Sequence, residues 1–339
     1  MNRRIVAVVL VAIVGLFVVK WSPYFAKALS ASVHHSIGSS TIIAGSGASV
    51  GAASALAYAR DYYTSVWKAL VLAFVLGATI QTLLPWRTIE SLLTRNTKGT
   101  LAATSLALAG MMCTCCAAPI AISLRGKRAA PGATLAFWLG NPLLNPAVMF
   151  FIAFVISWKF AILRMVLGAL LLVSLAAYAN GVGERHASKP NGFGQPEDPT
   201  SQRTTLGTLI VSWLRVLWWE IYTILPAYAL MVLVLGAVRP WLFHSSLVSA
   251  HAGFPALLGL ALVGTVFPIP TAAEVPLVQT LMASGLASAG AAALLLTLPT
   301  ISLPSLYMVR EAFDRRILVA TVAGVVACGL LSGLIATQF

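Results

Sequence analysis

The chain has 339 residues, of which 59% are apolar and only 9% are charged. A soluble domain is nearer 45–50% apolar and about 25% charged, so this composition excludes an ordinary cytosolic enzyme, a disordered chain and a basic nucleic-acid-binding protein. The net charge of +13 is better explained by the cytoplasmic loops of a membrane protein, which are enriched in Lys and Arg. The sequence therefore predicts an all-α, polytopic membrane protein that lies in the lipid bilayer and has no nucleic-acid partner.

Several apolar stretches are long enough to cross a bilayer, which takes about 20 mostly apolar residues. The N-terminal stretch from Ile5 to Val19 predicts an uncleaved signal anchor, with a cleaved signal peptide as the alternative. The stretch 38–59, rich in Gly, Ser and Ala, is either a tightly packed span or a periplasmic or re-entrant piece. Two others, 100–124 and 254–282, are interrupted by prolines and small residues. With the strongest candidates, these stretches predict about eight to ten membrane segments. The strongest candidates are 66–86, 132–157, 160–181, 219–238, 286–309 and 316–337.

The chain divides into two membrane units and two other parts. Residues 182–206 are polar and rich in Gly and Pro, a composition typical of a linker, and we expect this linker on the cytoplasmic side. It separates a first membrane repeat, 65–181, from a second, 207–339. Residues 1–64 are expected to form the N-terminal signal anchor and an extension outside the repeats.

The two units carry the same pattern of prolines. We expect one apolar segment to be broken at Pro119 in the first unit and at Pro276 in the second, and the following helix at Pro142 and at Pro299. Both pairs are 157 residues apart, and a shared register over this length indicates two copies of one unit. The sequence thus predicts two pseudo-symmetric repeats, each with a proline-broken or re-entrant helix. The remaining predicted helix breaks are at Pro146 and Pro304.

The charges of the loops bear on the orientation of the repeats. Four loops carry three Lys or Arg residues each. If the broken segments do not cross completely and 38–59 does not span, all four loops lie in the cytoplasm, each unit has three full spans and the second copy is inverted. If every apolar segment spans, the copies are parallel. The enrichment of basic residues on the cytoplasmic side favours the inverted arrangement.

Three cysteines, Cys113, Cys115 and Cys116, lie within four positions shortly before Pro119. A proline has no N–H and its ring clashes with the carbonyl four residues earlier, here that of Cys115, so we expect the backbone to open at the thiols. On an intact helix Cys113 and Cys116 share a face, whereas unwinding would let two or three sulfurs converge. Converging thiolates favour soft species such as trivalent arsenic or antimony, Cu(I) or Hg(II). The cysteines are therefore predicted substrate ligands and transient soft-metalloid ligands, with inert buried thiols as the alternative.

A carboxylate occupies the corresponding place in the second unit. Glu274 lies 157 residues after Ala117, next to the cysteines. A charged carboxylate at membrane depth costs several kcal/mol unless it is paired or hydrated, which makes it a functional hypothesis by default. Glu274 is predicted to carry protons, with a structural lock between two half-helices as the alternative. Glu220 lies near the end of a predicted helix and more simply faces the membrane interface.

Polar residues flank the prolines of the next broken helix. The motif Asn141-Pro142-Leu143-Leu144-Asn145-Pro146 disrupts the hydrogen-bond ladder twice within about one turn. The amides of Asn141 and Asn145 are predicted either to replace the lost hydrogen bonds or to line the path of a solute. The two roles are compatible, and both asparagines are candidate substrate-binding residues.

These motifs together resemble a known family. The succession C-x-C…P-I-A-I-S-L, a basic turn, P-G-A-x-L-A-F and N-P-L-L-N-P is similar to the predicted-permease family that includes the ArsP organoarsenical exporters and YraQ-type permeases, over roughly residues 65–337. The resemblance implies an inner-membrane permease and, in the arsenical branch, efflux of trivalent organoarsenicals with paired cysteines as ligands. By motif position, the family residues fall on Cys113 and Cys115 with Pro119, and on Asn145 with Pro146. The chain departs from the family in having Cys116, a third thiol, where many members have glycine.

The leading hypothesis is a multi-pass permease of the cytoplasmic membrane that exports a thiophilic small solute, most simply a trivalent organoarsenical, in exchange for protons. The three cysteines would bind the solute, Glu274 would couple its movement to protons, and no resident cofactor is expected. The sequence leaves open whether the protein forms a homo-oligomer.

Two other functions fit parts of the sequence. Cys113 and Cys116 have the C-x-x-C spacing of a membrane thiol–disulfide oxidoreductase, but no second cysteine pair is available to relay electrons, and Cys328 stands alone. An organising subunit of a larger complex has only the polar linker in its favour. The chain lacks a G-x-x-x-x-G-K-[ST] phosphate loop, so it is not its own ATPase.

Overall fold

A computed structural model describes residues 3–35, 52–182, 206–242 and 253–339. All regular structure in these ranges is helical, which confirms the predicted all-α class. Residues 183–205 of the predicted linker and residues 38–51 of the Gly-, Ser- and Ala-rich stretch lie outside the described residues.

The described helices form an N-terminal pair, a first set of seven and a second set of six. The N-terminal pair, α1 (Arg3–Leu16) and α2 (Ser22–His34), is joined by a π-helical turn (Phe17–Trp21) into one apolar helix. The next helices are α3 (Ala52–Leu83), α4 (Trp86–Leu92), α5 (Thr97–Gly110), α6 (Thr114–Gly126), α7 (Pro131–Leu143), α8 (Pro146–Phe151) and, after a second π-helical turn (Ile152–Ser157), α9 (Trp158–Val182). The last set is α10 (Leu206–Leu242), α11 (Phe254–Val266), α12 (Glu274–Ala283), α13 (Ser288–Thr300), α14 (Leu303–Val309) and α15 (Arg315–Ala336).

Six helical stretches of the described chain are long and apolar enough to cross a membrane. This supports a multi-pass membrane protein, with fewer full spans than the eight to ten segments expected. The difference arises because 100–124 and 254–282 form helices too short to span, and because 132–157 and 160–181 merge into one run of 52 residues. The six stretches are Ile5–His34, Ala55–Leu83, Pro131–Val182, Gly207–Val238, Ser288–Val309 and Arg315–Ala336.

The second set of helices repeats the order of the first. Helix α5 begins at Thr97 and α11 at Phe254, and α7 begins at Pro131 and α13 at Ser288, so that both pairs start 157 residues apart. Packing repeats as well, since α7 contacts α5 and α9 while α13 contacts α11 and α15. The register inferred from the prolines is therefore also the register of the helices. The inverted orientation of the two units stays a prediction.

The core of the molecule is built around α7 and α13. Every residue of α7 is buried, and so is nearly all of α13. Both helices are apolar on all sides, which is typical of helices enclosed by other helices. The interruptions of the backbone lie next to these two helices, inside the protein, where other protein groups can satisfy the irregular backbone.

The first interruption in each unit lies before the proline and not at it. Helix α5 ends with Met111 in the left-handed conformation, at φ 48°, and α6 begins at Thr114, whereas Pro119 lies inside α6. In the second unit the backbone is irregular over residues 267–273, and Pro276 is the third residue of α12. A proline in the first turn removes an N–H that has no helical partner anyway. This explains why Pro276 is compatible with the start of α12.

The second interruption in each unit lies between two prolines. Helix α7 continues through Pro142 for one residue and α8 begins at Pro146. Likewise α13 ends one residue after Pro299, and Pro304 is the second residue of α14. Each second proline therefore starts a new helix, the position that its missing N–H and fixed φ favour.

Gly132, at the start of α7, tests the packing of α7 against α9. A Cβ on this residue would overlap the backbone carbonyl oxygen of Ala176 and contact the side chain of Asn180. We expect Gly132→Ala to destabilise the protein by about 1–3 kcal/mol, because a backbone atom cannot move aside as a side chain can. The measurement is the midpoint of thermal unfolding in detergent. Gly181→Ala is the matched control, since a Cβ there meets nothing within 4 Å, and equal midpoints for the two variants would contradict the packing described.

Candidate functional site

The three predicted thiols lie together at the N-terminus of α6. Cys113 precedes the helix as its N-cap, Cys115 and Cys116 lie in its first turn, and all three are at most 4% exposed. The sulfurs of Cys113 and Cys116 are 3.0 Å apart. Cys115 lies in the same turn, and its sulfur has its own partners. The backbone is open on the N-terminal side of the cluster, and the partial positive charge of a helix N-terminus lies beside the sulfurs.

Groups of the second unit and of α3 reach the same cluster. The sulfur of Cys115 lies 3.6 Å from Oγ of Ser302, which is in the break before α14. The hydroxyl of Tyr62 donates to this sulfur at 3.7 Å and lies 2.6 Å from the hydroxyl of Tyr228 on α10. The first turn of α6 is therefore a meeting point of the two units.

The tyrosines near the cluster were not predicted as site residues. Tyr58 donates from its hydroxyl to the carbonyl of Pro268 at 2.5 Å, and Tyr58 and Tyr62 are in ring contact. Both fall in residues 1–64, which the sequence assigned to an extension outside the repeats. The structure places them on α3, a helix of 32 residues that begins at Ala52. The available signal was the spacing of Tyr58 and Tyr62, which are four residues apart and so lie on one face of a helix.

The opening before α6 is held in place by α7. Oδ1 of Asn141 accepts the backbone N–H of Met112 at 3.2 Å, and its Nδ2 donates to the carbonyl of Phe137 at 2.8 Å. Nε1 of Trp138 donates to the carbonyl of Thr114 at 3.0 Å. The amide of Asn141 thus replaces backbone hydrogen bonds, the first of the two roles expected for it.

Asn145 performs a similar task in the next break. Its Oδ1 accepts the N–H groups of Ala147 and Val148 at 3.1 and 3.3 Å and so caps α8. Its Nδ2 is buried and has no hydrogen-bond partner. The oxygen therefore has the structural role, while the nitrogen is available to a solute.

Glu274 is held by an arginine that the sequence analysis missed. Arg164 of α9 forms an ion pair with Oε1 of Glu274 at 3.2 Å, and both side chains are 1% exposed. Arg164 also donates to the carbonyls of Pro142, at 2.7 Å, and Leu143, at 3.4 Å. The carbonyl of Pro142 would otherwise bond to the N–H of residue 146, which is a proline. A single Arg within an apolar helix of 25 residues was the signal that could have found it.

A buried lysine of the N-terminal helix also reaches the site. Lys20, 6% exposed, lies in the π-helical turn, and its Nζ is 3.4 Å from Oγ1 of Thr271 in the second unit. It lies 5.5 Å from the centre of the Tyr24 ring and interacts electrostatically with Cys116 and Cys113. The apolar stretch expected from the sequence ends at Val19, just before Lys20. The helix continues to His34, so the charged Lys20 lies within it and is buried.

Two further predictions concern metals and Glu220. Among the described residues no three His, Cys, Asp or Glu side chains have the arrangement of a metal-ion site, and the role of the thiols as transient soft-metalloid ligands stays a prediction. Glu220 is 1% exposed and does not face the interface. The sequence predicted that this helix starts at residue 219. In the structure α10 begins at Leu206, so Glu220 lies well inside α10.

The comparisons with known proteins agree with this structure. Several apolar helices that can cross a membrane, with interrupted helices and polar groups between two repeated units, are typical of a transporter. The family model described as a predicted permease matches residues 52–338, and the chain belongs to this family.

One relative is similar along almost the whole chain. Over 332 residues the chain is 43% identical to the UPF0718 protein YraQ of Escherichia coli (strain K12), an alignment that covers 97% of this chain and 94% of that protein. No solved structure gives a significant match. The family and the helices support a multi-pass membrane transporter, and neither finding names its substrate.

The ion pair between Arg164 and Glu274 predicts a specific pattern of stability. Arg164→Met leaves a buried carboxylate without its partner, and we expect it to lower the stability of the protein by about 3–5 kcal/mol. Arg164→Met combined with Glu274→Leu removes both charges and should recover part of this loss. The measurement is thermal unfolding in detergent, with the exposed Arg315→Met as the control. A double variant less stable than Arg164→Met would contradict the pairing.

Proposed function

We propose that the protein is a secondary permease of the cytoplasmic membrane that exports a thiophilic small solute, with a trivalent organoarsenical as the first candidate. Membership in the permease family supports transport. The observation that carries the substrate class is the cluster of Cys113, Cys115 and Cys116, buried at a break of the backbone where both units meet.

The geometry of the thiols suits capture of a trivalent arsenical. Cys113 and Cys116, with sulfurs 3.0 Å apart, can act as a dithiol, and Cys115 offers a third sulfur beside them. Two of these thiols at a time would replace the two hydroxyls of methylarsonous acid and release two waters, so that two As–O bonds break, two As–S bonds form and the oxidation state does not change. Trivalent arsenic is a soft centre, and it prefers thiols to harder ligands. Reversal of the same exchange would release the solute on the other side.

Lys20 would supply the positive charge of the site. A thiolate or an anionic solute at this depth is costly without a counter-charge, and the ammonium of Lys20 interacts with both Cys113 and Cys116. Thr271, which contacts this ammonium, belongs to the break of the second unit. A change in the relative position of the units would therefore change the charge near the thiols.

Alternating access would come from movement of one unit against the other. The breaks of the two units lie at one place, with Ser302 against Cys115 and Arg164 against Glu274. Inverted repeats that rock around such a site are a common design of secondary transporters. The four basic loops support the inverted orientation, which is part of this proposal.

Proton exchange is the proposed source of energy. Glu274 is one candidate carrier, since its Oε2 is buried without a hydrogen-bond partner and could accept a proton. Its Oε1 is held by Arg164, so uptake of a proton would weaken the tie between α9 and the start of α12. As the carrier, Glu274 would be required for coupling, so Glu274→Gln should lose the stimulation of methylarsenic uptake by a pH gradient in the vesicle experiment below.

The thiol–disulfide oxidoreductase remains an alternative reading of the same cysteines. The short distance between Cys113 and Cys116 is the one observation in its favour, and the comparisons with known proteins give it no support. The fourth cysteine, Cys328, lies half-buried on α15 and not in the cluster. Redox titration of the purified protein separates the two functions, because only the enzyme requires a reversible two-electron couple.

The transport experiment uses everted membrane vesicles and trivalent methylarsenic. We expect uptake that depends on a pH gradient in the wild type, and its loss when Cys113, Cys115 and Cys116 are all replaced by Ser, because the arsenic then has no sulfur ligands. Cys115→Ser alone should abolish uptake while folded protein remains in the membrane. Cys328→Ser is the matched control and should transport normally. Undiminished uptake by the triple variant would overturn the role of the thiols.

A further inference from the structure

Glu220 lies in a second buried polar cluster, away from the thiols. It projects from α10 toward α3 and α6 and is 1% exposed. Its Oε1 accepts a hydrogen bond from Nε2 of Gln81 at 2.9 Å and lies 3.3 Å from Oγ of Ser123. Its Oε2 is buried and has no hydrogen-bond partner. The carboxyl group is thus half satisfied, by neutral groups.

Among the described residues, no cationic side chain compensates the charge of Glu220. No Lys, Arg or His of the described residues forms an ion pair with it, in contrast to Glu274. On α6, Arg125 donates to the carbonyls of Ala312 and Ala129, and Lys127, buried at the C-cap of this helix, forms no ion pair with Glu220. Helix α14, which also packs on α10, has Tyr307 as its titratable residue. On α3 and α10 the described residues Arg60, Asp61, Lys68, Arg215 and Tyr222 are exposed. The remaining tyrosines of these two helices, Tyr58, Tyr62, Tyr63 and Tyr228, pack against one another beside the thiols.

Space at the carboxyl group is kept by a glycine. A Cβ on Gly77 of α3 would lie 2.9 and 3.1 Å from the two oxygens of Glu220, so any larger residue would press on the carboxyl group. A buried, ionised carboxylate without a cation is expensive, and a bound proton removes the charge. A proton is also small enough for this tightly packed place.

The cluster is connected to the thiols through one helix. Ser123 lies on α6, seven residues after Cys116, which is about 10 Å along a helix. The hydroxyl of Ser123 has two acceptors, Oε1 of Glu220 and the carbonyl of Pro119 at 2.9 Å. It can donate to only one of them at a time. Ionised Glu220 attracts this hydroxyl more strongly than neutral Glu220 does, so the charge on Glu220 decides how firmly α10 holds α6.

We propose that Glu220 is a proton-binding site of this permease and that it acts on the thiol cluster through Ser123 and α6. This inference rests on the proposed function, export by proton exchange. Uptake of a proton weakens the contacts of Glu220 with Gln81 and Ser123 and frees α6 to move relative to α3 and α10. Loss of the proton restores them. Glu274, paired with Arg164, then serves to hold the two units together.

Proton binding is tested without any solute. The infrared difference spectrum of the purified protein between acid and alkaline pH should contain the C=O band of a buried protonated carboxyl group. We expect this band to be lost in Glu220→Gln and retained in Glu90→Gln, a control on the exposed surface of α4. A band that Glu220→Gln leaves unchanged would overturn the proposal, whatever the substrate proves to be.

Coupling is tested in vesicles with trivalent methylarsenic as the probe. Glu220→Gln should lose the stimulation of uptake by a pH gradient but keep exchange of labelled for unlabelled methylarsenic, since exchange needs no net proton movement. Ser123→Ala should retain the infrared band and show weaker gradient stimulation. Full gradient stimulation in Glu220→Gln contradicts the coupling, whereas absence of both uptake and exchange in the wild type contradicts the proposed substrate and leaves the infrared result to decide on Glu220.

Discussion

The ion pair between Arg164 and Glu274 joins parts of the molecule that are otherwise separate. The guanidinium of Arg164 reaches two carbonyls at the end of α7 and the carboxylate of Glu274 at the start of α12. One side chain therefore holds a break of each unit. Burial of both charges is costly, and the pair compensates that cost only while its geometry is kept. The position of the two units relative to the thiols depends on this contact.

The interrupted helices follow from a general constraint of membranes. Backbone N–H and C=O groups without partners are tolerated at membrane depth only where protein or water satisfies them. Here Asn141, Asn145 and Arg164 provide those partners, and each lies beside a proline or a break of the backbone. The polar side chains that were candidates for solute binding are thus largely engaged in holding the breaks open. Under the proposed function, the sulfurs, Lys20 and the amide nitrogen of Asn145, which has no hydrogen-bond partner, would be left to bind the solute.

Much of the architecture could be predicted because it is recorded in regular patterns. Composition indicates the membrane, and the spacing of Pro142 and Pro299 gives the register in which α7 and α13 actually begin and end. The position of the first breaks could not be predicted from the prolines, because Pro276 lies in the first turn of α12, where a proline costs little, and Pro119 lies inside α6 without ending it. There the left-handed turn at Met111 ends the helix, and no rule for methionine anticipates it.

The sequence by itself determined the helical class, the repeat, the family and the thiols, since each depends on composition or on short spacings along the chain. Only the tertiary structure decided which buried charges have partners. Arg164 and Glu274 are 110 residues apart, Lys20 and Thr271 are 251 apart, and Gln81 and Glu220 are 139 apart. Local patterns carry no information about such contacts, because helix packing selects them. That selection pairs Glu274 with a cation and leaves Glu220 with neutral partners.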